Sequence, residues 1–131
     1  MTATLLPSAE QVMVTWAKAH TALAAIHGGR VGTRLNATLP AVRLSRIGDA
    51  PPEPWQDAAS VQVECWAADQ ADADELARTF VAALPDIRNT AVAGGRIWTY
   101  TVTSGPFWSP DDPSLSNNAR YILTCSLLIT T

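Results

Sequence analysis

The sequence predicts an α+β domain in which a mixed, mostly antiparallel sheet of about five strands carries two packed helices. Two segments, residues 8–27 and 70–84, have apolar residues at helical spacing, and five short runs alternate in polarity or are rich in β-branched residues. The chain has 131 residues, of which 47% are hydrophobic, and this length fits one domain with one hydrophobic core. We therefore expect a single domain over residues 1–131.

The first helix is predicted from Ser8 to His27. Ser8 is a good N-cap and Gln11 completes a capping-box pattern, whereas Gly28 and Gly29 supply the stop. The apolar residues fall on one narrow stripe that should pack on the sheet. This stripe comprises Val12, Trp16, Ala19, Leu23 and Ile26.

Three strands are predicted next, over Arg30–Leu35, Ala41–Ile47 and Ser60–Ala67. The connection Gly48–Asp57 contains three prolines, so it should be a stiff extended loop and not a central strand. Trp55 in this loop is either tucked under it or offered to a partner.

The second helix is predicted from Gln70 to Leu84, with Asp69 as its cap and Pro85 as its stop. Acidic residues crowd its first turns, where the helix dipole favours negative charge. A capping and dipole role is therefore preferred over an acid/base pair or a metal site for this acidic cluster. Its members are Asp72, Asp74 and Glu75.

The last two strands are predicted over Ile97–Thr103 and Tyr121–Ile129, and the nearly apolar second one should lie near the centre of the sheet. Between them, Ser104–Arg120 is long and irregular. Phe107 and Trp108 are costly to expose to water, so we expect this loop to dock on a partner.

The cysteines and histidines have plain structural interpretations. Cys65 and Cys125 lie in strand-like runs and should be buried thiols; a disulfide between neighbouring strands is conceivable, but a reducing cytosol disfavours it. His20 and His27 lie seven residues apart on the first helix without a further metal ligand at suitable spacing, so we expect ordinary, partly exposed histidines.

Charge and hydropathy exclude several classes of partner. The net charge is −3, which argues against a basic face that binds the phosphate backbone of nucleic acid. No apolar run is long enough to cross a bilayer, and the segment MTATLLPSAE lacks the features of a signal peptide. We expect the product to stay in the cytoplasm of the cell that makes it.

Catalytic motifs are absent from the sequence. There is no GxSxG, HExxH, Walker loop, GxGxxG or CxxC pattern, and IHGGRVGTR lacks the Lys-Ser/Thr of a P-loop. The pair Asp111-Asp112 could bind a cation weakly, but in a proline-rich loop Asp more often turns the chain. We therefore expect no enzyme activity, no cofactor and no metal.

Specific stretches of the chain carry a family resemblance. These are GGRVGTRLNATLPAVRLSRIGD, DAASVQVECWAADQADADELARTFVAAL, SGP followed by an aromatic residue, and the late ARYILT. Together they span most of the chain, and the sequence resembles tail terminators of long-tailed bacteriophages, in the form encoded by phages of actinobacteria.

The resemblance implies a lambda-type terminator domain that forms a ring, in six copies, on top of the tail tube. Such a ring would stop tube polymerisation and offer a docking surface to the head connector, while DNA passes through the channel without specific binding. The implied location is the neck of the virion, after assembly in the host cytoplasm. Ring contacts are heterologous and need two different surfaces on each copy.

The two proline-aromatic loops are the candidate suppliers of these surfaces. Three other functions stay open: a head-closure or neck protein, a small enzyme or ligand-binding domain, and a non-viral adaptor or chaperone. The candidate interface residues are Trp55, Phe107, Trp108, Asp111, Asp112 and Arg120.

Overall fold

The computed structural model of the chain describes residues 5–48, 53, 55–110 and 118–131. Within these residues the fold is α+β, as predicted, with a six-stranded mixed sheet and three α-helices in place of about five strands and two helices. The helices are α1 (Ala9–Ala19), α2 (Thr21–His27) and α3 (Gln70–Ala83). The strands are β1 (Val31–Gly32), β2 (Ala41–Ile47), β3 (Asp57–Ala67), β4 (Thr90–Val92), β5 (Gly95–Trp108) and β6 (Ala119–Thr130).

The strand order is β1-β2-β3-β6-β5-β4. β1 is parallel to β2 and every other pair is antiparallel, so the predicted mixed, mostly antiparallel sheet is confirmed for the described strands. β6 lies between β3 and β5, which confirms its predicted central position.

One face of the sheet carries the core. Alternate residues of the two central strands, such as Val63 on β3 and Leu123 on β6, pack with α1 and α3 residues such as Met13 and Phe80. All four are fully buried because side chains of a strand alternate between faces and one face lies under the helices.

The predicted single helix Ser8–His27 is two helices. His20 has an extended backbone (φ −70°, ψ 120°) and separates α1 from α2. Ser8 is the N-cap as predicted, since its hydroxyl accepts a hydrogen bond from the N–H of Gln11 at 3.3 Å. The predicted apolar stripe continues across the break, since Leu23 and Ile26 of α2 pack in the same core as Val12 and Trp16, and only Ala19 is exposed.

His27 is not partly exposed, as predicted, but fully buried at the end of α2. Its Nδ1 accepts the N–H of Gly29 at 2.9 Å, and its Nε2 donates to the carbonyl of Ala17 at 3.0 Å. This pattern requires the neutral ring with the proton on Nε2. Burial is the main cause that lowers the pKa of His27, and the charge of Arg30 lowers it further.

Two predicted strands have different limits. Arg30–Leu35 contributes only the two residues of β1, because the chain then turns, with the Asn36 side-chain oxygen accepting the N–H of Thr38 at 2.9 Å. Ser60–Ala67 begins three residues earlier, at Asp57. The limits of β2 are as predicted.

The second helix ends one residue before the predicted Leu84, and Pro85 lies in a single 3₁₀ turn, Leu84–Ile87, that leads to β4. β4 has only three residues, and no pattern in the sequence predicted it. Asp69 caps α3 as predicted, since its side chain accepts the N–H of Asp72 at 2.9 Å.

The largest correction concerns Ser104–Arg120, predicted as an irregular loop. Its first five residues continue β5 to Trp108, and its last two, Ala119 and Arg120, begin β6. β5 keeps its pairing with β6 through register shifts, one of which lies between Ser104 and Phe107. Bulges of this kind let a strand continue through residues that break a regular pattern.

Cys65 and Cys125 are free, buried thiols, as predicted. Cys125 pairs with Val61, whereas Cys65 pairs with Tyr121, so the two cysteines are offset by four residues along neighbouring strands. This offset is about 13 Å, which is too far for a disulfide. Burial raises the pKa of both thiols, that of Cys125 to about 12, so both stay protonated.

Candidate functional site

The exposed aromatic residues of the described chain are the first candidates for a functional surface. Trp55 is 66% exposed, Trp98 47%, Phe107 46% and Trp108 42%. Large exposed aromatic side chains are typical of contact surfaces. Trp55, Phe107 and Trp108 are interface residues predicted from the sequence, whereas Trp98 was predicted only as a strand residue.

Trp55 and Trp98 lie at one end of the sheet, which we call the Trp55 end. Trp55 lies two residues before β3, whose first residue, Asp57, pairs with Ile129 of β6; Ile97, next to Trp98, pairs with Ile129 from the other side. The indole N–H of Trp98 donates to the hydroxyl of Thr130 at 2.8 Å. Trp98 is thus held in place, whereas Trp55 is the more exposed ring.

Phe107 and Trp108 lie at the other end of the sheet, which we call the Trp108 end. They pair with Ile122 and Tyr121 at the start of β6, and the rings of Trp108 and Tyr121 are 5.4 Å apart. The Tyr121 hydroxyl accepts a hydrogen bond from Gln70 at the start of α3, at 3.2 Å. The Trp108 end therefore packs on the start of β6, which is in turn linked to the start of α3 by this hydrogen bond.

The two ends are far apart. Tyr121 pairs with Trp108 and Ile129 pairs with Ile97, so the ends differ by eight residues along β6. At about 3.3 Å per residue this is roughly 26 Å. The predicted interface residues Trp55 and Trp108 therefore do not form one site; they belong to two separate surfaces.

Arg120, also a predicted interface residue, makes its contacts within the chain. Its guanidinium donates to Glu64 Oε1 at 2.9 Å and to the carbonyl of Ser109 at 2.8 Å, and it lies 5.1 Å from the ring centre of Trp66. Arg43 approaches the other Glu64 oxygen at 3.4 Å. Two arginines thus compensate the buried Glu64 carboxylate on the sheet face opposite the helices.

Asp111 and Asp112, the remaining predicted interface residues, lie outside the described residues. Within residues 5–48, 53, 55–110 and 118–131, no group of three or more His, Cys, Asp or Glu side chains could hold a metal ion. The acidic turns of α3 contain an ordinary helical ion pair, in which Arg78 donates to Asp74 at 2.9 Å.

An open cleft of about 630 Å³ lies where α1, α2 and the 3₁₀ turn meet. On its wall, His20 Nε2 lies 2.8 Å from Asp86 Oδ2, and the His20 ring contacts Trp16 at 5.3 Å between ring centres. A carboxylate can fix the tautomer of such an imidazole. No pattern in the sequence predicts this pair, because its members are 66 residues apart.

Comparison of the sequence with models of known protein families finds no match, and comparison with curated proteins finds none either. Among the described helices, none combines the length and the apolar character that crossing a bilayer requires. A function for this chain must therefore be proposed from its own residues and from the resemblance in its sequence.

Proposed function

We propose that the chain is a tail terminator of a long-tailed bacteriophage. Six copies would form a ring on the end of the tail tube, each with a lambda-type terminator domain. The ring stops polymerisation of the tube protein and then binds the head-closure or connector protein. The protein is assembled in the host cytoplasm and ends in the neck of the virion.

The observation that carries this proposal is the presence of two different aromatic surfaces about 26 Å apart. In a ring, each copy contacts its two neighbours through two unlike surfaces, because the contact is heterologous. The Trp55 end and the Trp108 end meet this requirement. The family resemblance includes part of the Trp108 end, in the stretch SGP followed by the aromatic Phe107.

The net charge of −3 is compatible with DNA passing through such a ring without specific binding. A strongly basic lumen would hold the phosphate backbone by releasing its counterions. The chain has 9 basic and 12 acidic residues, so it has no excess of positive charge for that purpose.

The direct test is electron microscopy of the purified protein, alone and mixed with tail-tube subunits. We expect rings that cap tubes and limit their length. A protein that neither caps tubes nor changes their length would contradict the proposal.

A double substitution, Phe107→Ser with Trp108→Ser, tests the Trp108 end. We expect a folded protein, since both rings are about half exposed, and a loss of ring formation or of docking. Leu35→Ser is the matched control, because Leu35 is 39% exposed but lies in neither aromatic surface. Unchanged assembly of the double variant would show that the Trp108 end is not a contact surface.

A head-closure or other neck protein is the nearest alternative. It has the same need for two contact surfaces, but it would bind the finished tail or the head and would not cap growing tubes. Mixing the protein with short tubes and with heads separately distinguishes the two functions.

The cleft beside His20 favours a second class of function, a small ligand-binding domain or enzyme. A concave site with a paired histidine and carboxylate is a feature of such proteins. If the chain has this function, His20→Ala would abolish activity or ligand binding, and neither the wild-type protein nor the variant would cap tubes. For a terminator, His20→Ala should leave capping intact.

A further inference from the structure

α2, β1 and the turn between them form a small unit over residues 21–32, which we call the α2–β1 segment. It begins after the extended backbone of His20, and its strand contributes only two residues to the sheet. Of its twelve residues, only Leu23, His27 and Val31 are buried. A segment with so few buried residues is of the kind that opens locally while the rest of a domain stays folded.

The break between α1 and α2 is maintained by contacts and not by a helix-breaking residue. Residues 9–27 contain neither proline nor glycine, which are frequent causes of interrupted helices. In a continuous helix the carbonyl of Ala17 would accept the N–H of Thr21. Here this carbonyl accepts a hydrogen bond from His27 Nε2 at 3.0 Å. His27 therefore fastens the end of α2 onto α1.

This fastening requires an uncharged imidazole. While Nε2 donates to Ala17, Nδ1 of the same ring accepts the N–H of Gly29 at 2.9 Å. A second proton on the ring would occupy Nδ1 and turn this acceptor into a donor that faces another donor. Protonation of His27 therefore breaks the hydrogen bond that holds the turn between α2 and β1.

The surroundings of His27 also oppose a positive charge on its ring. The side chain is fully buried, and the charged groups that act on it are Arg30, directly after α2, and Lys18, near the end of α1. Both are positive, and neither α3 nor β2 contributes a compensating carboxylate among the described residues. A proton on His27 would thus be both desolvated and repelled.

His20, the other histidine, is placed to respond in the opposite way. Its Nε2 lies 2.8 Å from Asp86 Oδ2, and a positive charge on His20 would strengthen this contact with the carboxylate. Acid conditions therefore weaken the attachment at the far end of α2 and preserve the attachment at its start. His20 has the position and the extended backbone of a hinge.

We propose that the α2–β1 segment opens locally when His27 takes up a proton from solvent, and that it turns at His20, which stays bound to Asp86. Opening withdraws Leu23 and Val31 from the core and exposes apolar surface beside α1. This part of the molecule is then sensitive to acid, while the central strands keep their pairing. The inference goes beyond the proposed function, because ring formation assigns no role to this opening.

Hydrogen exchange tests the opening, measured as protection factors so that the ordinary effect of pH on exchange is removed. In the open segment His27 has its ordinary pKa of about 6.5, and in the closed segment its pKa is lower. Protection of residues 23–31 should therefore fall by up to about tenfold between about pH 7.5 and about pH 5.5. Unchanged protection would overturn the proposal.

The response to dilute urea distinguishes local opening from global unfolding. Exchange in residues 23–31 should hardly depend on urea, because local opening exposes little surface. The amide of Leu123, on the central strand β6, should be at least about tenfold better protected and should respond steeply to urea. Equal protection and equal urea dependence at both places would mean that His27 acts only through global unfolding, and would overturn the hinge.

The two histidines of the chain supply matched variants. In His27→Gln, the amide can replace the donor and the acceptor of the ring but does not titrate in this range, so protection of residues 23–31 should be the same at both pH values. His20→Gln, the control, should keep the pH dependence of the wild type. A folded His27→Gln variant that retains the dependence, or a His20→Gln variant that loses it, would contradict the assignment to His27.

The nitrogen NMR signals of the His27 ring give a measurement that needs no variant. At about pH 7.5 we expect a neutral ring with its proton on Nε2. A ring that becomes charged while residues 23–31 keep their full protection would overturn the proposal. These measurements use the protein without tube subunits, so their outcome is independent of the test of tube capping.

Discussion

The two outer sides of the sheet differ in how completely the chain covers them. On the β2 side, β1 and the Glu10 carboxylate bind backbone N–H groups of the strand. On the β5 side, residues 98–108 pair with β6 but have no strand on their outer edge in the described chain. The β2 side is therefore covered by the chain's own groups, whereas the outer edge of β5 is uncovered beyond β4 and is interrupted by register shifts.

The largest effect is expected on the covered side, at the ion pair between Arg46 of β2 and Asp57 of β3. The Asp57 side chain is 4% exposed, and both of its oxygens accept hydrogen bonds from Arg46. Arg46→Met leaves a buried carboxylate without this partner and should lower the free energy of unfolding by about 3 kcal/mol. Urea denaturation measures the change.

The double variant Arg46→Met with Asp57→Asn is the control for that measurement, because it removes both charges. It should recover part of the lost stability. If the single and double variants were equally stable, the buried charge would not be the cause.

A smaller effect is expected on the β5 side, at Gly105. Its φ is +80°, and a Cβ at this position would lie 2.5 Å from the carbonyl oxygen of Ile122 on β6. Gly105→Ala should therefore cost about 2 kcal/mol of stability, from the left-handed backbone and the displacement of β6.

Gly94→Ala separates these two causes. Gly94 has a similar φ of +79°, but a Cβ there would contact nothing within 4 Å. It should cost about 1 kcal/mol, the backbone contribution alone. If both variants lost the same free energy of unfolding, the part of β5 around Gly105 would not be packed closely against β6.

The smallest effect is a pH dependence at His27, which precedes β1 on the covered side. Its folded pKa lies below the usual 6.5, so below about pH 6.5 the unfolded chain binds more protons than the folded one. The contribution of His27 to the free energy of unfolding should be constant above that pH and fall as the pH decreases towards the folded pKa.

His27→Gln should weaken this dependence, since an amide can supply a donor and an acceptor but does not titrate in this range. Urea midpoints at about pH 7.5 and about pH 5.5 measure it. The same slope in the wild type and the variant would assign the pH dependence to other groups.

Local signals in the sequence predicted the elements that depend on neighbouring residues. Ser8 and Asp69 cap helices, as their side-chain chemistry predicted. The alternation of polar and apolar residues predicted the limits of β2, and the nearly apolar composition of β6 predicted its central position in the sheet. Trp98 could have been found in the same way, because it alternates with the buried Ile97 and so should lie on the opposite face.

Other features required contacts between distant parts of the chain. The break at His20 accompanies its contact with Asp86, and the extension of β5 to Trp108 depends on pairing with β6. His20 and Asp86 are 66 residues apart, and the pairing of Trp108 with Tyr121 depends on how the chain returns between the two strands. The partial exposure predicted for His27 was wrong because the packed fold, and not the spacing of residues along the helix, buries its ring.

The sequence alone determined the α+β class, the acidic charge, the uncharged run from 97 to 110 and the aromatic residues available for contact, because composition and spacing are local properties. The tertiary structure decided where these residues lie. Strand order and register placed Trp55 and Trp108 at opposite ends of the sheet, and the short β4 left most of β5 uncovered. Register and coverage are set by pairing between distant strands, which a local pattern cannot specify.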